Sequence, residues 1–289
     1  MDVDELIRPV SNLVSLPDVC LRANALLADP GSSVDEIGEV INCDPGLTAR
    51  LLRIVNSAYY GLPARIETVT RAITVIGTRD LQSLVLATSA VDTFNRISTD
   101  LVDMEAFWHH SVFAGLAARN LAQEAGAADA EALFVAALLH DVGKLVMYRE
   151  LPEASEQILA LSADTYADPA QVERDVVGCD HADIGAALLR AWGLPESLIV
   201  PVRYHHRPEA ADAFQTETAL VHIANAIANT VEPGVKGSAG KAAGGDVIVP
   251  LAWELTGLSP EVISPTVSRV NLQSFELLEI IAPGSLLIP

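Results

Sequence analysis

Residues 132–146 read ALFVAALLHDVGKLV, and this stretch leaves the chain little choice of fold. Eight apolar or small residues, Ala132 to Leu139, run without a polar position into His140-Asp141 and then Gly143-Lys144. A helix that is apolar all round has to be surrounded by other elements, so the run predicts a buried helix inside a helical core. It is too short to cross a bilayer. Adjacent helical residues point about 100° apart, so His140 and Asp141 reach one ion only where it sits beside the last turn. Gly143 is expected to provide a left-handed exit from that helix. For an isolated His-Asp pair, pairing with nearby backbone is the simpler reading. More histidines at suitable places change that balance.

Half of the residues are hydrophobic but only 5% are aromatic, so Ala, Leu, Val and Ile must build the core, which suits closely packed helices. The formal net charge of -20 argues against a nucleic-acid backbone or an anionic membrane as a partner, since both would repel the chain. Cys20, Cys43 and Cys179 stand far apart with no CxxC pair. They read as reduced thiols of a cytoplasmic protein, not as a zinc site. The start, MDVDELIRPV, lacks the charged and apolar regions of a signal peptide.

Taken in order, the chain is a series of helices with recognisable punctuation. Leu6, Ile7, Val10, Leu13 and Val14 share one helical face, and a second helix starts after Leu16-Pro17. Ser33 and Glu36 form a capping-box pattern, and Asp44-Pro45 opens another helix. A short helix is expected over Ile66–Ile76 and a longer one over Asp80–Phe94. Asn56, Ser57, Tyr59 and Tyr60 either offer a polar docking surface or close off their helix end. Arg50 and Arg53 are read as a small basic patch or as solvated helix residues. A boundary is expected between Asn95 and Asp103, after which helices cover Met104–Glu124, Leu151–Ser162 and Pro169–Val177. Asp180 is placed to cap a helix over His181–Trp192, the next helix reaches His205-His206, and another covers Thr216–Val231. PGVKGSAGKAAGG, at 233–245, reads as a flexible loop. Two further helices follow, with Pro265 expected to interrupt one of them. The organisation expected is an N-terminal helical lobe over 1–100, a second lobe over 101–231, and a loop with C-terminal helices over 232–289 packing on the second lobe.

All seven histidines lie between positions 109 and 222. In order they include His110, His140-Asp141, His181 and His205-His206, with His222 and Asn225 on the last helix of that lobe. Neutral imidazoles with a carboxylate suit divalent transition ions, or a two-metal centre that activates water against phosphorus.

That order, with LLHDVGKLV, DHADIGAALLRAWGLPESL and HHRPE, resembles the HD superfamily of metal-dependent phosphohydrolases and its HDOD branch. The first half resembles HDOD domains independently. DPGLTARLLRIVNSAYYGLPARIETVTRAITVIGTRDLQSLVL, residues 44–86, is close to their N-terminal hallmark, and the likeness covers roughly residues 10–230.

The resemblance implies an all-α, multi-helical two-lobe fold with an N-terminal helical lobe and an HD-type C-terminal lobe. It implies a role in bacterial signal transduction, in the cytoplasm, with signalling proteins as partners, among them receiver (response regulator) or cyclic-dinucleotide components. Neither nucleic acid nor membrane is expected as a partner. It implies His110, His140, Asp141, His181, His205, His206 and Asn225 at metal-ligand positions for a divalent transition metal (Fe, Mn, Ni or Zn). Asp141 and Lys144 would be the catalytic pair if the protein is an enzyme, Lys144 being placed to meet a phosphate. Two departures argue against that. Asn225 stands where the active hydrolases carry aspartate, and the stretch RPEAADAFQTE after His206 lacks their Gly-Tyr-Pro signature. The expectation is therefore a non-enzymatic regulatory module with a partly degenerate metal pocket. The alternative is a metal-dependent phosphohydrolase acting on a nucleotide or phosphoester.

Overall fold

The computed structural model describes residues 3, 5–8, 15–95, 101–127, 129–164, 169–231 and 248–283. The expected loop at 233–245, part of the 95–103 boundary and most of the first helical stripe lie outside them. Among the described residues the secondary structure is helical, with no strand. The fold is the all-α, multi-helical one expected. No described helix is long and apolar enough to cross a membrane.

The residues form two compact units, one of 97–271 with 1–14 and one of 15–96 with 272–289. The second unit opens with α1 (Asp18–Ala28), α2 (Val34–Asn42), α3 (Pro45–Val55), α4 (Val69–Ile76) and α5 (Thr78–Phe94). Local chemistry sets most of these ends. Ser33 and Glu36 cap α2 reciprocally, and the Asp44 side chain accepts from Leu47 N at 3.0 Å ahead of Pro45. Helix α4 starts three residues later than Ile66 for a specific reason. Asn56 Nδ2 donates to Leu52 O and to Ile66 O, and Ile66 N donates back to Asn56 Oδ1 at 2.7 Å. That clamp holds Ile66 outside the helix, and Thr68 becomes the cap by accepting from Arg71 N. Ser57 accepts from Tyr59 N and donates to Ile54 O. Asn56 and Ser57 thus close the end of α3 and the loop after it. Arg50 pairs with Asp92, so it is not part of a solvated basic patch.

The first unit contains α6 (Met104–Ala125), α7 (Ala130–Leu139), α8 (Val142–Glu150), α9 (Pro152–Asp164), α10 (Pro169–Val177), α11 (His181–Ala191), α12 (Glu196–Tyr204), α13 (Gln215–Val231) and α14 (Pro250–Thr256). Helix α7 is the expected central helix: Leu133 to Leu139 are all buried, with α6, α12 and α13 packed around it. Each large aliphatic or aromatic side chain buried there contributes about 1.5–3 kcal/mol. Glu131, the one charge at its start, is buried against Arg119 at 2.5 Å.

Helix α15 (Ile263–Ile281) is longer than expected. Pro265 does not interrupt it, because it sits in the first turn, where a missing N–H costs nothing. The 232–289 segment also divides between the units. Arg269 donates to Asn120 Oδ1 at 3.1 Å within the first, whereas Ala58 N donates to Glu276 Oε2 at 3.0 Å within the second.

Removing the Asn56 clamp leaves the Ile66 backbone without partners. Asn56→Ala is expected to cost about 1.5 kcal/mol, readable as a shift of the urea midpoint with unchanged slope.

Candidate metal centre

Helix α7 ends at Leu139, His140 follows as its C-cap, and Asp141 is the N-cap position of α8. The pair therefore occupies a turn between two helices. Gly143 lies inside α8 and is not a left-handed exit: it has no positive φ. Its importance is steric. A Cβ at Gly143 would stand 1.9 Å from the carbonyl oxygen of His181 and 2.8 Å from Gly185 N. The first turn of α8 is thus pressed backbone to backbone on the first turn of α11, which brings Asp141 to His181.

His181 is held there by its cap. Asp180 accepts from Asp183 N at 2.8 Å and pairs with Arg174. His110 comes from α6, and His205-His206 follow the end of α12. Two sets of three result, His181/His205/His206 and His110/His140/Asp141, each with ligand atoms within 4.8 Å of one another. Asp141 stands between the sets. Its Oδ1 is 3.1 Å from His181 Nε2, 3.4 Å from His140 Nε2 and 3.9 Å from His205 Nε2; its Oδ2 is 3.8 Å from His110 Nε2 and 2.7 Å from Lys144 Nζ.

The hydrogen bonds behind the rings show which nitrogens face inward as lone pairs. His140 Nδ1 is 2.6 Å from Ala137 O, and His205 Nδ1 is 2.7 Å from Val202 O. A carbonyl only accepts, so both Nδ1 atoms carry the proton and both Nε2 atoms are unprotonated in the neutral rings. Yet Nε2 atoms converge. His110 and His140 meet at 3.4 Å, His181 and His205 at 3.4 Å, and His181 and His206 at 3.0 Å. Asp141 Oδ1 is buried among them without a hydrogen-bond donor. One proton can bridge only two such atoms. A cation of higher coordination number satisfies the whole set, so these residues fit a divalent ion of the imidazole-and-carboxylate type.

Electrostatics point the same way. Burial, with the neighbouring imidazoles, pulls His205 and His206 well below the ordinary histidine range and His110 down to about 3. Burial also lowers His140. His181 is the exception, pushed up to about 9: burial pulls it down, but the Glu173 carboxylate outweighs that. Burial raises Asp141, yet His140, Lys144 and His181 hold it well below the carboxylate range. The cluster is rich in neutral donors and holds one anion at its centre.

The remaining sequence candidates fall into different roles. Asn225 is buried on α13 and lies near enough to His110 to favour its charged form slightly, while its Oδ1 accepts from Asn229 Nδ2 at 3.3 Å. Lys144 lies at the more exposed edge, on Asp141. His109 is in neither set. His222 spends both ring nitrogens elsewhere: Nδ1 donates to His205 O at 2.7 Å, and Nε2 accepts from Val249 N at 3.2 Å. It fixes the backbone that presents His205. One residue was not among the candidates. Glu173, buried on α10, accepts from His181 Nδ1 at 2.6 Å and from His181 N at 2.7 Å with the same oxygen. Its only sequence sign is a glutamate on an otherwise buried helical face.

A family model described as the HDOD domain matches residues 13–208. An uncharacterized protein of Treponema pallidum (strain Nichols) is 29% identical over 219 residues, covering 75% of this chain. The chain spans only 42% of that relative's length. Among solved structures, an HDOD domain protein of unknown function from Geobacter sulfurreducens superposes with a TM-score of 0.75 at 24% identity, covering 99% of this chain and 98% of that one. A protein named as a phosphohydrolase, from Shewanella amazonensis SB2B, superposes with a TM-score of 0.76, also at 24% identity, over 96% and 98%. At this identity the structural likenesses speak for the fold alone.

Because a Cβ at Gly143 has only backbone to meet, Gly143→Ala must drive α8 from α11. The expected loss is about 3 kcal/mol of stability together with the Asp141–His181 approach, checked by denaturation and by metal content of the purified variant.

Proposed function

The chain belongs to the HDOD domain family, and from that premise we propose that it is a non-enzymatic signalling module whose HD-type lobe holds a divalent transition metal. The observation that carries this reading is the enclosure of the centre. His140, His181 and His205 are 0% exposed, His110 6% and Asp141 5%, and Asn225 adds an amide where a second anion would strengthen the site. Such a centre suits holding helices α6, α7, α11 and α12 in one arrangement, which a signalling module can present to a protein partner. His110, His140, Asp141, His181, His205 and His206 would hold the ion, and Asn225 would support His110. Iron, manganese, nickel and zinc all match the donor set. Signalling proteins, including receiver or cyclic-dinucleotide components, are the partners consistent with the family, and an acidic chain is a poor match for nucleic acid or an anionic membrane.

One observation favours phosphohydrolase activity as the second reading. Lys144 pairs with Asp141 at the edge of the cluster, with its side chain 24% exposed, where it could meet a phosphate. A bound ion would supply positive charge against a phosphoryl oxygen. Lys144 would orient that group, and Asp141 would hold the lysine in place.

Two measurements test these readings. Protein purified without a histidine tag is expected to contain a transition ion, and EDTA is expected to lower its melting temperature by several degrees. An ion at one hundred times its Kd stabilises by about 2.7 kcal/mol. His140→Ala is expected to lower the ion content while the protein stays folded, since residues 133–139 do the packing. With manganese, the protein is expected to show no turnover of cyclic dinucleotides. EDTA-sensitive turnover that Asp141→Ala abolishes would replace the module by the hydrolase.

A further inference from the structure

The two sets of ligands are not equivalent, and the difference lies in residues behind them. Glu173 places a buried carboxylate on the far side of His181, with one oxygen accepting from both the ring and the backbone N–H of that residue. A carboxylate at the remote nitrogen raises the basicity of the inward one and adds a negative charge to the neighbourhood of any ion it holds. Among the described residues no carboxylate stands behind the other set. His140 is backed by the neutral carbonyl of Ala137, and His110 Nδ1 has no hydrogen-bond partner.

Asp141 repeats the asymmetry. Its Oδ2, the oxygen turned to His110, already carries the ammonium of Lys144 at 2.7 Å. Its Oδ1 is nearest His181, at 3.1 Å, and is not the oxygen that Lys144 holds. A cation beside Oδ2 lies next to the Lys144 ammonium and is repelled by it, whereas one beside Oδ1 does not meet it directly.

We propose that Glu173 is a positioning residue that makes the His181/His205/His206 set, with Asp141 Oδ1, the higher-affinity of two metal sites. The His110/His140 set is then a weaker, exchangeable site. This deepens the metal-centre reading and rests on it. A permanent ion in the first set would keep α11 and α12 together, and the second set would fill only at a higher concentration of free metal. The lobe would then report that concentration across the α6 and α7 face.

The test is titration of chelator-stripped, untagged full-length protein with Mn2+. Calorimetry counts the sites, and the paramagnetic resonance signal of free Mn2+ follows their filling. Two classes at least tenfold apart in Kd are expected. Glu173→Gln keeps the shape and an accepting oxygen but removes the charge. It is expected to weaken the tighter class about tenfold or more and leave the weaker within twofold. His206→Ala should remove the tighter class and His110→Ala only the weaker. Asn225→Asp adds an anion beside His110 and is expected to tighten the weaker class about tenfold, which provides a gain independent of any loss of folding. Two classes of equal affinity, or a Glu173→Gln effect shared by both, would overturn the inference and leave the metal centre standing. Loss of the weaker class in His206→Ala would overturn it too. No Mn2+ binding in the unaltered protein, where ion content as purified is also nil, would overturn the metal centre itself.

Discussion

The backbone contact between Gly143 and the His181 carbonyl is the constraint on which the centre depends. No residue with a Cβ fits there, so the first turns of α8 and α11 meet backbone to backbone. Asp141 caps one of those turns and His181 opens the other. Their approach is therefore a consequence of helix packing, not of attraction between the side chains. The buried helix α7 supplies the other half of the constraint. Being apolar all round, it accepts neighbours on every side, and those neighbours carry His110, His205 and Asn225.

Placed so, the side chains gather several imidazoles and one carboxylate in a buried cluster. Nε2 atoms converge at 3.0–3.4 Å around a single carboxylate, and those of His140 and His205 carry no proton in the neutral rings. In a low-dielectric interior a cation in its middle would stabilise that arrangement. His140, His205 and His181 are held in position from behind, by Ala137 O, Val202 O and Glu173 respectively. His222 extends the same support to the backbone at His205. The outer residues thus preserve a geometry that suits an ion.

Much of this was legible without coordinates because its causes are local. Apolar runs, Ser33 with Glu36, Asp44-Pro45, Asp103 and Asp180 each act within one helical turn, so the all-α fold and most helix ends follow from neighbouring residues. The ordered histidines, through their resemblance to a known family, named the residues that the fold brings together. Local rules misread Gly143, since a glycine near a helix end has the same sequence sign whether it serves a turn or a close crossing. They misread Pro265 because a proline halts a helix or opens one according to where the preceding turn ends. Glu173 and the support from His222 were invisible for a stronger reason. A hydrogen bond from a carboxylate to a ring eight residues away depends on how α10 turns into α11, and a bond from His222 to the His205 carbonyl depends on how α12 crosses α13. The sequence by itself determined the helices and the ligand types; only tertiary packing decided which backbone, carboxylate and carbonyl groups stand behind each ligand, because those contacts are made between elements and leave no period or spacing in the chain.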